Sequence, residues 1–112
     1  MSMQFTVEGV GDDIVVVKGD GRLTMVAAPE FRAVVRREIE AGRTRVVIDL
    51  GAVAFMDSSG LGALVACLKT ARQAGGDLRI ASPNEQVTMI LRLSNLDRVF
   101  KAHESPEVAF HA

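Results

Sequence analysis

The sequence predicts an α/β domain: a small mixed β-sheet whose first hairpin is antiparallel and whose later strands are mainly parallel, covered by about four helices. Three observations lead there. Short β-branched runs, above all Ile14-Val15-Val16-Val17 and Val46-Val47-Ile48, read as strands with buried faces. Apolar residues recur at helical spacing elsewhere, as in Phe31, Val34, Val35 and Ile39, and again in Leu61, Leu64, Val65 and Leu68. In the second half the two patterns alternate, so the right-handed crossover rule for parallel strands applies.

Phe5-Thr6-Val7-Glu8 alternates like a short strand, and the turn cluster Gly9 to Asp13 leads to a second strand, Ile14 to Lys18. So short a connection favours an antiparallel hairpin. Gly19-Asp20-Gly21-Arg22 is expected to end it. Ala28-Pro29-Glu30 opens the first helix, since proline at the first helical position loses no hydrogen bond and Glu30 suits the positive end of the dipole. Gly42 stops that helix. Arg45 to Leu50 is a strand buried in the sheet interior, and Val53-Ala54-Phe55-Met56 leads on from it. A helix runs from there to Gly75-Gly76, and Asp77 to Ala81 is the next strand.

Ser82-Pro83-Asn84-Glu85 reads as another helix start, with Ser82 as cap, Pro83 in the first position and Glu85 completing a capping box. Val87, Ile90 and Leu91 form its buried face, and Asn95 can take the left-handed conformation that ends it. The last strand is placed at the edge, around Arg98 to Ala102. Pro106 to Phe110 reads as a final short helix or a tail. No repeat, linker or low-complexity stretch divides the chain, so residues 1–112 are expected to form a single domain.

Asp57-Ser58-Ser59-Gly60-Leu61-Gly62 sits where the central strand ends and a helix begins. Sites in open α/β sheets gather at the carboxyl ends of strands. Ser58 is a candidate for a residue held open at a helix N-terminus, where the dipole and unpaired backbone N–H groups favour negative charge, a phosphoryl group included. The same residues are ordinary turn chemistry, with Ser58 or Ser59 as helix cap. A Gly-x-Ser-x-Gly elbow is missing, because Met56 and Asp57 stand two residues before the two serines. A catalytic triad would need His103 or His111, far along the chain. Gly60-Leu61-Gly62 begins a dinucleotide fingerprint, but Val65 takes the place of its third glycine. No phosphate loop follows elsewhere. Neither a catalytic residue nor a cofactor is expected.

With 48% hydrophobic residues the 112-residue chain can build a real core, and its formal net charge of −1 argues against direct nucleic-acid binding. Cys67 is its one cysteine, so no internal disulfide forms, and its place near the apolar face of a helix makes a buried, inert thiol the default. One cysteine and two late histidines give no recognisable metal site. No apolar run suffices for membrane insertion. The start, Met1-Ser2-Met3-Gln4, lacks the features of a signal peptide, which points to the cytoplasm.

Phe55-Met56-Asp57-Ser58-Ser59-Gly60-Leu61-Gly62 resembles the signature of the anti-sigma factor antagonists, the bacterial members of the STAS domain family. Gly21-Arg22-Leu23 with Ala27-Ala28-Pro29 resembles the segment ahead of that family's first helix. Val46 to Leu50, Gly75-Gly76 and Leu93-Ser94-Asn95-Leu96 resemble its later landmarks. The resemblance implies a STAS-type fold and a binding switch rather than an enzyme. Its partners would be an anti-sigma factor serine kinase, which phosphorylates Ser58 and then lets go, and a PP2C-type phosphatase that resets it. Sigma-factor-dependent transcription would be the output.

By the same resemblance Asp57, Ser59, Gly60, Leu61, Gly62, Arg22 and Thr24 would contact the partner or support the site. Asp57 could set loop geometry and partner contacts, or be only a turn or capping residue. Gly60 and Gly62 would admit partner backbone or satisfy tight turn geometry. The chain departs from the pattern at Thr24, where relatives often carry an acidic residue, and at Arg22, which could hold a phosphoryl group or lie on the surface. The alternative implied by the same family is an interaction or scaffold subunit of a signalling or transport complex, with Ser58 never modified.

Overall fold

The protein is described from a computed structural model, over residues 3–100 and 102–106. The chain order is β1 (Met3–Val10), β2 (Ile14–Leu23), α1 (Ala28–Glu40), β3 (Arg45–Met56), α2 (Ser58–Gln73), β4 (Asp77–Ala81), α3 (Glu85–Leu93) and β5 (Ala102–His103). The strands lie side by side in that same order. Only β1 and β2 are antiparallel; every later pair is parallel.

Alternation along the strands decides what the sheet buries. Val15 and Val17 of β2, Val46, Ile48 and Leu50 of β3, and Leu78 and Ile80 of β4 join one core cluster with Phe31, Val35 and Ile39 of α1 and Leu61, Leu64, Cys67 and Leu68 of α2. Each large side chain fully buried in this way contributes about 1.5–3 kcal/mol. Phe31 also stacks on Phe5 of β1, ring centroids 5.9 Å apart, which ties the hairpin to the helical layer. A smaller cluster forms around Val47 and Ala81, with Ile14 and Val16 packed against it.

Several expectations change. β2 does not end at Lys18 but runs on to Leu23, because two irregularities in register, at Lys18/Asp20 and Gly21/Arg22, bend the strand without ending its pairing. Gly21 makes the second of them possible with a φ of 130° that side-chain-bearing residues rarely adopt. β3 extends through Val53–Met56 for the matching reason: Arg22 pairs with Phe55 and Leu23 with Met56.

The cap of α3 is Asn84, not Ser82, and Pro83 lies before the helix. Asn84 Oδ1 accepts from Val87 N at 2.9 Å. Ser82 instead adopts a φ of 59°, and its backbone N and Oγ donate to the carbonyls of His103 and Glu104. That joins β4 to the edge strand. The edge strand itself is Ala102–His103, later than expected, since Leu96 to Phe100 turns to bury Phe100 in the core. Three helices are present among the described residues rather than about four; the segment expected as the last, Pro106 to Phe110, lies outside them beyond Pro106.

Candidate functional site

The extended β2 and β3 carry the chain to one end of the sheet, where the β2–α1 turn meets the start of α2. Asp57 joins the two. Its backbone is extended, and it is the N-cap of α2. Oδ1 accepts from Gly60 N at 2.8 Å, and Oδ2 accepts from Met25 N at 3.1 Å. Its own N–H donates to Leu23 O at 3.3 Å. The carboxylate therefore caps a helix and holds a loop 32 residues away in sequence.

The cap being Asp57, neither serine fills that role. Ser58 is the first residue of α2 and is exposed; Ser59 is half-buried. The first turn of α2 contains no acidic residue. Ser58 thus stands at the positive end of a sixteen-residue helix, where a phosphoryl group meets a favourable dipole and backbone donors.

Gly60 and Gly62 differ in role. A Cβ on Gly60 would lie 2.1 Å from Leu23 O, so the absent side chain is what lets α2 close against β2. Gly62 is exposed, and a Cβ there would meet nothing within 4 Å. Leu61 points into the core at 7% exposure. Thr24 is half-buried, and its carbonyl accepts from Ala27 N and Ala28 N, turning the chain into α1. Arg22 lies with its guanidinium 4.8 Å from the centroid of the Phe55 ring, a contact worth about 0.5–1 kcal/mol at an exposed position.

Two supporting residues escaped the sequence reading. Gln86, on the first turn of α3, accepts from Met56 N at 2.9 Å and donates to Met56 O at 2.8 Å. Asn84 Nδ2 donates to Val53 O at 3.1 Å. Together they fasten the end of β3, the residue before Asp57 included. Nothing in the local sequence distinguishes Gln86 from a solvated helix residue, because its partner is 30 positions away.

Cys67 lies on the buried face of α2 itself, nine residues beyond Ser58. Burial pushes its thiol up from 9.0 to about 12, against a smaller downward pull from Arg32 and Arg36. The folded state therefore favours the neutral thiol. Its stabilising contribution is full below the unfolded-state value near 9 and is lost as pH rises towards 12. The expected result is a urea midpoint that falls between pH 8.5 and about 11 in the native chain and falls less in Cys67→Ala. A thiol reagent at neutral pH should react only as fast as the fold opens.

Among the described residues no group of side chains could hold a metal ion, and no helix is long and apolar enough to cross a membrane. A five-stranded sheet of this order, its first pair antiparallel and the rest parallel, covered by helices, is the architecture of a STAS domain. The model of that family matches residues 5–109, and the chain belongs to it. A Thermotoga maritima protein proposed to be an anti-sigma factor antagonist is 34% identical over 95 residues, which are 84% of each chain. The anti-sigma-B factor antagonist of Staphylococcus epidermidis is 31% identical over 97 residues, 87% of this chain and 90% of that one. The anti-sigma factor antagonist SpoIIAA, solved in its unphosphorylated form, superposes with a TM-score of 0.82 at 25% identity, over 96% of this chain and 93% of its own.

Proposed function

We propose that this chain is an anti-sigma factor antagonist of the partner-switching kind, a cytoplasmic binding protein rather than an enzyme. Unmodified, it binds an anti-sigma factor serine kinase and frees the sigma factor; phosphorylated on Ser58, it is released, and a PP2C-type phosphatase resets it. The observation that carries this reading is an exposed Ser58 at the first position of α2 whose hydroxyl is not the helix cap, because Asp57 is. A modifying enzyme can reach that hydroxyl without removing a structural hydrogen bond. The names of the antagonists from Staphylococcus epidermidis and of SpoIIAA support the same reading.

The physics of release follows. Phosphorylation adds about −1.5 to −2 charges and strong acceptor oxygens. The helix start tolerates them, so the domain stays folded. A partner packed over Ser58 would have to desolvate that charge, and binding is lost.

The test mixes the purified chain with ATP and each candidate anti-sigma kinase of its host, with mass spectrometry as readout. One phosphoryl group is expected, on Ser58, with affinity for the kinase falling on the order of 100-fold. Ser58→Ala should bind and remain unmodified. A kinase that binds the native chain tightly in the presence of ATP and never modifies Ser58 would support a scaffold subunit instead.

A further inference from the structure

A groove runs between α1 and α2, and its first α2 residue is Ser59, the neighbour of Ser58. Pro29, Arg32 and Arg36 line one side, Ser59, Gly62 and Ala66 the other, and Met25 stands at the end near Asp57. Met25 and its neighbour Val26 are 70% and 73% exposed. Single exposed apolar residues are common on any surface. These two are consecutive, and the first is held in place by the hydrogen bond from its N–H to Asp57. Gly62 and Ala66 are one turn apart and leave room for incoming side chains.

The charge of the groove has one sign. Arg43, Arg45 and Arg72 are paired with Glu38, Asp13 and Asp77 of the same chain. Arg32 and Arg36 are exposed and have no such carboxylate among the described residues, and no acidic residue lines the groove with them.

We propose that this groove receives an acidic, amphipathic segment of the partner kinase, with an apolar side chain against Met25 and carboxylates towards Arg32 and Arg36. The inference rests on the reading of Ser58 as a phosphorylated switch, and it adds the chemistry of the bound surface. It also gives the modification a reason to act at this spot. A phosphoryl group on Ser58 places new negative charge one residue before Ser59, the first α2 residue of a groove whose occupant is itself negative, and like charges brought together oppose binding.

Calorimetric titration of the kinase that modifies Ser58 tests it, using the native chain, Arg32→Glu with Arg36→Glu, Met25→Ser, and Arg37→Glu as a control on the same helix outside the groove. The charge reversal is expected to weaken binding about 30-fold or more, and Met25→Ser about tenfold. Raising salt should weaken the native complex and strengthen that of the double variant, since screening removes attraction in the first and repulsion in the second. The substituted side chains are exposed, so melting temperatures near that of the native chain will show that the variants fold.

If the double variant and Met25→Ser both bind within about twofold of the native chain while Ser58 is still phosphorylated, the groove proposal falls and the switch stands. If Arg37→Glu is as damaging as the double variant, general surface charge is responsible and the groove proposal falls as well. If sedimentation shows the same substitutions dissolving a dimer of this chain without changing kinase affinity, the occupant is a second copy and not the partner. If no host kinase binds or modifies the native chain, the switch reading itself falls, and this inference with it.

Discussion

Gly60→Ala is expected to lower the stability of the domain by roughly 3 kcal/mol or more, at the upper end of the range for overpacking. The added Cβ would lie 2.1 Å from the carbonyl oxygen of Leu23 and 2.9 Å from its carbonyl carbon. Those are backbone atoms inside a paired strand, so no rotamer change relieves the contact; α2 or β2 must move. Gly62→Ala, two residues on, is the matched control. It meets nothing within 4 Å, and alanine in an exposed helix interior is about 0.5–1 kcal/mol better than glycine. Urea denaturation of the two variants should therefore move in opposite directions. Two equal losses would show that helix propensity, not the closeness of Leu23, decides both positions.

Asp57→Ala carries the next largest effect. Losing the cap of α2 costs about 1 kcal/mol, and the Met25 N–H loses its acceptor as well, which adds about as much again. The expected total is about 2 kcal/mol by chemical denaturation. Asp57→Asn separates the two roles. Its amide oxygen can still accept from Gly60 N, but the NH₂ would then face the Met25 N–H, donor against donor. About half of the stability loss should return, while the Met25 amide exchanges with solvent as fast as in Asp57→Ala. Restored protection at Met25 in the asparagine variant would mean that the loop is held by something other than the carboxylate.

The helices were legible because their apolar stripes and stop signals are local. Phe31, Val35 and Ile39 lie on one face by spacing alone, and Asn95 adopts the left-handed conformation read for it, φ 58°. The strand extensions were not legible. Gly19-Asp20-Gly21-Arg22 carries the composition of a turn, and only pairing with β3 on a neighbouring strand keeps it extended. Ser82-Pro83-Asn84-Glu85 misled for a related reason. It satisfies a capping pattern, but Ser82 is held by His103 and Glu104 on the edge strand, which leaves Asn84 as the cap. At the site, the position and exposure of Ser58 followed from the strand–helix junction. Asp57 as a turn or capping residue was legible too, its bond to Gly60 being local; its hold on Met25 and the clamp by Gln86 were not, since each joins residues about thirty positions apart and no periodicity marks such a pair.

Because the loop and helix under Ser58 are already fastened by Asp57, a phosphoryl group there would alter the molecule's far field more than its outline. The native chain is almost neutral, with a formal charge of −1 and a sequence isoelectric point near 6.1. One phosphoryl group would bring the net charge to about −2.5 to −3. The two forms would then differ little in hydrodynamic radius and by more than twofold in electrophoretic mobility. At low ionic strength, where the Debye length reaches ~30 Å, they would also present different fields to an approaching partner before contact. A native gel or an isoelectric focusing strip would count the modified fraction directly in a cell extract.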